Sequence, residues 1–131
     1  MRHLNYACLL VLLSGCQAIP ILPEANQVIA SPNSAPQGCR YKGQVYGHQG
    51  NAFTGGFTSN RNLEVGAMND LKNEALKLHA NYVQIITSRA GITGSYSSDG
   101  DGYGAGRSQQ TNITNVGNAY FCPPRLIGLE K

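Results

Sequence analysis

The sequence predicts a small α+β domain with the element order β-α-β-β, in which one helix packs on one face of a three-stranded mixed sheet. The chain has 131 residues, and a single domain takes about 100 to 200 residues. A helical pattern of apolar residues lies between two runs rich in β-branched and aromatic residues, and a third such run follows a glycine-rich stretch. These observations predict one helix and three strands.

The N-terminus has the composition of a bacterial secretory signal. Arg2 precedes an apolar run at residues 6–13, which is far shorter than the about 20 apolar residues that span a bilayer as a helix. The sequence Leu-Ser-Gly-Cys at residues 13–16 resembles the lipobox of bacterial lipoproteins. We therefore expect residues 1–15 to be a signal peptide and Cys16 to carry lipid. The alternatives are an ordinary signal with a coincidental cysteine, or a buried apolar helix.

The residue after Cys16 bears on the destination of the protein. In the lipoproteins that this segment resembles, Asp at that position favours retention in the inner membrane. Here the residue is Gln17, so the resemblance implies the bacterial outer membrane, with the domain facing the periplasm. Each buried CH₂ of an acyl chain contributes about 0.8 kcal/mol, so multiple acylation of Cys16 would anchor the protein essentially permanently.

Residues 16–38 are expected to form the lipidated cysteine and a flexible linker. They contain four of the six prolines, have Glu24 as their only charge, and show no sustained apolar period. Proline-biased chain extends by up to about 3.1 Å per residue, so such a linker would hold the domain away from the lipid. The alternative is that three apolar residues pack on the domain: Ile19, Ile21 and Leu22.

The globular domain is expected at residues 39–122, followed by a tail at residues 123–131. The first strand is predicted at Tyr41 to Gly47, where apolar and polar residues alternate loosely. The helix is predicted from about Val65 to Ala80, because apolar residues recur there at spacings of three and four. Their side chains would lie along one stripe: Met68, Leu71, Ala75, Leu78 and Tyr82. The helix is expected to end at His79 or Asn81.

The second strand is predicted at Tyr82 to Thr87, which is rich in β-branched residues. Residues 91–109 are expected to be a long mobile hairpin loop, because ten of these 19 residues are Gly or Ser. Their backbone entropy is hard to offset where little apolar surface can be buried. The third strand is predicted within Thr111 to Cys122, and Pro123 stops it.

Two cysteines remain after removal of the signal and lipidation of Cys16: Cys39 and Cys122. In an oxidising periplasm such a pair is expected to form a structural disulfide. Functional thiols are the alternative, but there is no Cys-x-x-Cys spacing. A strand-helix-strand unit favours a parallel right-handed crossover, and a hairpin makes the third strand antiparallel to the second. If the disulfide joins neighbouring strands, the sheet order is first, third, second.

Candidate chemistry is sparse in this sequence. His48 and His79 lack partners at metal-ligand spacing, and the serines near residue 97 lack a Gly-x-Ser-x-Gly elbow. Asp99-Gly-Asp101-Gly resembles the start of a calcium loop, but the twelfth position is Gln110 where a bidentate carboxylate is needed. We expect no catalytic residue, no cofactor and no metal.

Two further features limit the function classes. Asp70 and Glu74 lie at i and i+4 on the predicted helix, but without a pocket we expect them to face solvent. The formal charge is +3 at pH 7, and loss of Arg2 with the signal lowers it by one. Nucleic acid binding needs a concentrated basic face, so we expect no nucleic acid partner.

Four motifs in order resemble the Gram-negative lipoprotein family called domain of unknown function 4156. They are Gly-Cys-Arg-Tyr-Lys-Gly-Gln-Val at residues 38–45, Asn-Asp-Leu-Lys-Asn-Glu-Ala at 69–75, His-Ala-Asn-Tyr-Val at 79–83 and Ala-Tyr-Phe-Cys at 119–122. One departure is His79, where the family pattern commonly has Gly. The helix followed by Ala-Asn-x-Val is also similar, more weakly, to the outer-membrane lipoprotein that senses envelope stress in the Rcs system.

These features together predict a non-enzymatic envelope lipoprotein. Its partners would be the membrane, through the lipid anchor, and another envelope protein, for which it would act as a binding, sensor or assembly module. The alternatives are a cell-envelope hydrolase that uses the glycine-rich loops as a lid, and a purely structural surface lipoprotein.

We predict that Cys16→Ser abolishes acylation, because the thiol that takes the lipid is lost. The variant should lose metabolic labelling with an acyl precursor and leave the envelope fraction, whereas the wild-type protein should keep both. An unlabelled variant that remains in the membrane would contradict the prediction.

Overall fold

The computed structural model describes residues 17–129, and in them four strands form one mixed sheet. The strands are β1 (Ile29–Ser31), β2 (Arg40–Gly50), β3 (Tyr82–Ser98) and β4 (Gly104–Phe121), in the order β1-β3-β4-β2. β1 is parallel to β3, and β4 is antiparallel to both of its neighbours. Helix α1 (Asn60–Lys77) packs on one face, mainly over β2 and β4. The α+β class is confirmed, and the expected order first, third, second is present as β2-β4-β3.

The expected number of three strands is wrong, because β1 adds a fourth at the outer edge of β3. Ile29 lies opposite Tyr82 and Ser31 opposite Gln84. β1 comes from the proline-rich stretch that was expected to be a linker. A strand of three residues is too short to show alternation in a sequence, and the burial of Val28, which is 2% exposed, helps to hold it in place.

Helix α1 begins earlier than predicted because Ser59 caps it. The Ser59 side chain accepts a hydrogen bond from the Asn62 N–H at 3.1 Å, which satisfies one of the free donors of the first turn. The expected end of the helix is confirmed, since His79 adopts the left-handed conformation with φ 58°. Glycine is favoured in this conformation, so His79 stands where a glycine would be less strained.

The core lies between α1 and the sheet. Seven buried residues form its main cluster: Val28, Val45, Leu71, Ala75, Ala80, Val83 and Ala119. A second cluster of Leu63, Ala67 and Ile113 lies towards the N-terminal end of α1. Gly47 permits close packing of α1 on β2, because a Cβ at this position would overlap Ala67 O and the backbone N of Leu71.

Residues 91–109 form an antiparallel ribbon, not the mobile loop that was expected. Pairing between β3 and β4 continues to Ser98 opposite Gly104. Backbone hydrogen bonds, rather than buried side chains, support this pairing. The ring of Tyr96 lies over two small residues of the opposite strand, where Cβ atoms at Gly104 and Gly106 would meet it. The glycines therefore accommodate an aromatic ring across the strands.

A disulfide joins Cys39, directly before β2, to Cys122, directly after β4. The expected pairing is therefore present, and it links two neighbouring antiparallel strands. It closes a segment with a sequence separation of 83 residues. Cys122 is fully buried.

We predict that Leu71→Ala lowers the free energy of unfolding by about 2 to 5 kcal/mol, because it leaves a cavity in the main cluster. The matched control is Val65→Ala on the same helix, since Val65 is 43% exposed. Its effect should stay within about 0.5 kcal/mol. Urea denaturation of both variants checks this, and equal effects would contradict the core assignment.

We also predict that the double variant Cys39→Ala with Cys122→Ala loses about 2 to 5 kcal/mol of stability, because the crosslink restricts the unfolded chain. Denaturant unfolding of the oxidised wild-type protein and the variant measures the difference. Mass spectrometry of non-reduced protein should find the two peptides linked. Two alkylatable thiols at these positions in protein isolated under native conditions would contradict the disulfide.

Candidate functional site

The histidines that were considered as metal ligands lie in separate surroundings. Nδ1 of His48 is 3.0 Å from Thr114 Oγ1, and the His48 backbone N–H donates to Asp70 Oδ2 at 2.8 Å. His79 is exposed at the end of α1, and Cys39 and Cys122 offer no thiolate because they form the disulfide. Across residues 17–129, no cluster of three or more His, Cys, Asp or Glu residues is placed to hold a metal ion.

The two helical carboxylates have separate structural partners. Asp70 accepts the backbone N–H of His48, as given above, and so ties α1 to β2. Glu74 forms an ion pair with Lys77 one turn later. The hydrogen bond that Lys77 Nζ donates to Glu74 Oε1, and then the negative charge of Glu74, raise the pKa of Lys77 above its ordinary value. The structure therefore gives no sign that Asp70 and Glu74 work as an acid/base pair.

The Asp99 carboxylate closes the turn between β3 and β4. Its Oδ1 accepts the backbone N–H groups of Asp101 at 2.9 Å and Tyr103 at 3.2 Å. Gly100 and Gly102 supply positive φ angles of 83° and 93°. The motif that resembled a calcium loop is thus a turn whose first carboxylate bonds to its own backbone.

The outer part of the β3–β4 hairpin extends beyond the rest of the sheet; we call residues 92–98 and 104–110 the distal ribbon. It begins where β2 ends, at Gly50 opposite Asn112. Seven residue pairs follow, which at about 3.3 Å per residue gives a length of about 20 Å. Ile92 is 68% exposed and Tyr96 75% exposed. The serines that were considered as nucleophiles lie in this ribbon: Ser95, Ser97 and Ser98.

The face of the sheet that α1 does not cover, the open face, carries residues in transverse rows. Register places three tyrosines in one row and three amides in the next: Tyr41, Tyr120 and Tyr82, then Gln44, Asn118 and Gln84. Tyr82 is only 6% exposed and its hydroxyl donates to Asn33 O at 2.8 Å, so the β3 end of the tyrosine row is covered. Tyr41 and Tyr120 pack edge to face with ring centroids 5.6 Å apart. The hydroxyl of Tyr46 donates to Gln44 Oε1 at 2.7 Å. None of the four strands contains Asp or Glu.

The connection from β2 to α1, residues 51–58, is an ordered loop that exposes two phenylalanines; we call it the Phe loop. Asn51 Oδ1 accepts the backbone N–H groups of Phe53 at 2.8 Å and Thr54 at 2.9 Å. Gly55 is buried, and a Cβ there would overlap the backbone of Thr111 in β4. Phe53 and Phe57 are nevertheless 87% and 81% exposed.

Two buried amides hold the N-terminal stretch, residues 17–22, on the domain. Gln49 Oε1 accepts the Ile19 N–H at 2.7 Å, and Gln49 Nε2 donates to Gln17 O at 3.2 Å. Asn73 Oδ1 accepts the Leu22 N–H at 2.9 Å, and its Nδ2 donates to Pro20 O at 3.0 Å. This part of the expected linker therefore lies against β2 and α1.

The sequence analysis missed the Phe loop and the two amides. No role was assigned to the Phe loop from the sequence, although its two phenylalanines are four residues apart in a segment without charge. Asn73 does not belong to the apolar stripe predicted for the helix, yet it is only 9% exposed. Its position between Leu71 and Ala75 in the helix carried no signal of burial. Cys16, the expected lipidation site, lies outside the described residues.

Comparison with known proteins gives a family but no related protein of known function. Among residues 17–129, no helix has the length and hydrophobicity needed to cross a bilayer. No curated protein and no solved structure matches the chain, so the similarity to the Rcs stress sensor has no match to support it. A family model described as Domain of unknown function (DUF4156) matches residues 20–122. The match starts inside the stretch that Asn73 holds on α1 and covers most of the sequence, and the chain therefore belongs to the DUF4156 family.

Proposed function

We propose that the protein is a lipid-anchored lipoprotein of the bacterial outer membrane whose domain faces the periplasm and binds another envelope protein without catalysing a reaction. The lipobox at residues 13–16 supports the anchor, and Gln17 supports the outer membrane. The distal ribbon is the observation that carries the binding role.

The distal ribbon is ordered but adds nothing to the core. None of its residues belongs to either buried cluster. A domain that only needed to fold could join β3 to β4 by a short turn next to Gly91 and Asn112. The extra residue pairs therefore add surface rather than core packing.

Beyond its base, where Gln109 bonds to Gly56 of the Phe loop, the ribbon offers exposed faces and strand edges for binding. β1 pairs only with Tyr82–Gln84 of β3, and β2 reaches only to Asn112 of β4. Within the described residues, the outer backbone groups of both ribbon strands thus have no neighbouring strand. Exposed edges can take up an extended segment of another protein, whose side chains are then read by neighbouring side chains such as Tyr96.

Replacement of residues 94–108 by Asn-Gly tests whether the ribbon is separable from the fold. The dipeptide suits a two-residue hairpin turn, so Thr93 and Gln109 can keep their pairing and their hydrogen bonds to Thr111 and Gly56. We expect the free energy of unfolding to change by no more than about 0.5 kcal/mol, measured by urea denaturation. A large loss of stability would mean that the ribbon belongs to the folding unit.

A photoreactive amino acid at Tyr96 tests the binding role in intact cells. We expect it to form a crosslinked product of defined mass, whereas the same probe at exposed Lys77 on α1 should not. Excess untagged wild-type protein should compete the product away, and the ribbon-shortened variant should not compete. Competition by the shortened variant would place the binding surface elsewhere. A ribbon deletion that instead changes turnover of an envelope substrate would favour the hydrolase.

A further inference from the structure

The N-terminal stretch, residues 17–22, lies on the surface of the domain from its first described residue. Gln17 is held through its carbonyl by Gln49 Nε2, and Asn69 Nδ2 donates to Ile19 O at 2.8 Å. Cys16 is joined to Gln17 by one peptide bond, so their Cα atoms are about 3.8 Å apart. Lipid on Cys16 would therefore lie directly against the domain.

The stretch also has a direction. Leu22 is bonded to Asn73, and Ile19 is bonded to Asn69, one turn nearer the start of α1. From residue 22 to residue 17 the chain thus follows α1 towards its N-terminal end. The Phe loop, which leads into α1, lies at that end. Phe53 follows Gln49 by four residues, which limits the separation of their Cα atoms to about 14 Å.

The Phe loop is an ordered segment that nevertheless exposes two apolar rings. Its backbone is bonded internally, with Gly55 N–H donating to Asn51 O at 2.8 Å and Phe57 N–H to Thr54 O at 3.1 Å. Phe53, given above as 87% exposed, and Phe57 are the most exposed large apolar residues between positions 17 and 129. An ordered loop that keeps two phenylalanines in water is typical of a surface that docks on something apolar.

The charges around the loop suit a phosphate-bearing surface. Residues 51–58 contain no charged side chain, and exposed Arg61 follows in the first turn of α1. Arg107 lines a cavity of about 210 Å³ that the Phe loop shares with the base of the distal ribbon. The nearest acid along the chain is Glu64. Apolar rings flanked by cations match the boundary between acyl chains and lipid headgroups.

We propose that the Phe loop inserts Phe53 and Phe57 into the same lipid leaflet that holds the acyl chains of Cys16. This inference rests on the proposed lipid anchor, which brings a leaflet to the end of the N-terminal stretch. The acyl chains of Cys16, the ring of Phe53 and the ring of Phe57 then attach the domain to the membrane at three points. The domain therefore lies against the lipid in one orientation. The distal ribbon, whose Gln109 Nε2 donates to Gly56 O at 2.9 Å, is then presented in a fixed direction.

The absence of Trp from the sequence makes a direct test possible. Phe53→Trp and Phe57→Trp each introduce a single fluorescent probe into the loop, and Tyr46→Trp places one on the open face as a matched control. Each full-length mature, lipidated protein is reconstituted in vesicles of phosphatidylethanolamine and phosphatidylglycerol, with or without bromine on the acyl chains. We expect blue-shifted emission and quenching by brominated lipid for the two loop probes, and neither effect for the control.

The outcomes separate the inference from the proposed anchor. If mass spectrometry shows acylated Cys16 and the protein stays on the vesicles, but the loop probes behave like the control, the docking is overturned and the anchor stands. If Cys16 carries no lipid and the protein remains in solution, both are overturned. A blue shift without quenching by brominated lipid would mean that protein covers the loop, which also overturns the inference. Equal quenching of the control would show that there is no preferred orientation.

Discussion

The position of the N-terminal stretch depends on two buried side-chain amides, which form with its backbone the kind of hydrogen bonds that a neighbouring strand would form. Gln49 and Asn73 each offer one acceptor and one donor, and each pairs with one N–H and one carbonyl of the N-terminal stretch. A buried side-chain amide without hydrogen-bond partners costs about 1 to 3 kcal/mol of stability. The backbone of residues 17–22 supplies these partners to both Gln49 and Asn73. In return, a proline-rich segment with little secondary structure is fixed on the domain.

Close packing of the helix makes these amide contacts possible. Gly66 of α1 faces Gln49, and a Cβ at this position would overlap the Gln49 side chain and the backbone N of Ile19. Glycine inside a helix costs roughly 1 kcal/mol relative to alanine. The hydrogen bonds of Gln49 to two backbone groups are of a size that offsets this cost. Gly47 on β2 similarly allows close packing, because it has no Cβ to collide with the backbone of α1.

The sequence predicted the elements whose apolar side chains recur with a regular period. It did not predict the elements that are held mainly by backbone pairing between strands. The apolar stripe through Leu71 and Ala75 predicted α1, and Cys39 with Cys122 led to the correct neighbours in the sheet. β1 was not predicted because a strand of three residues is too short to show an alternating pattern. The strand pairing of residues 91–109 was not predicted because their glycines and serines were taken to oppose it. In the distal ribbon the pairing is local, so the loop-closure entropy is small and few buried side chains are needed.

The candidate surfaces are coupled because they share one end of the sheet. Gly55 of the Phe loop packs against Thr111 of β4, and Gln109 of the distal ribbon bonds to Gly56. The same end receives Gln17 through Gln49, so the start of the N-terminal stretch, the Phe loop and the base of the ribbon are joined by hydrogen bonds and close packing. The ribbon is tied to the Phe loop by one side-chain hydrogen bond and by the close backbone packing of Gly55 on Thr111. Under the proposed function, this attachment would present the ribbon in a defined orientation to the membrane, which a long flexible linker would not do.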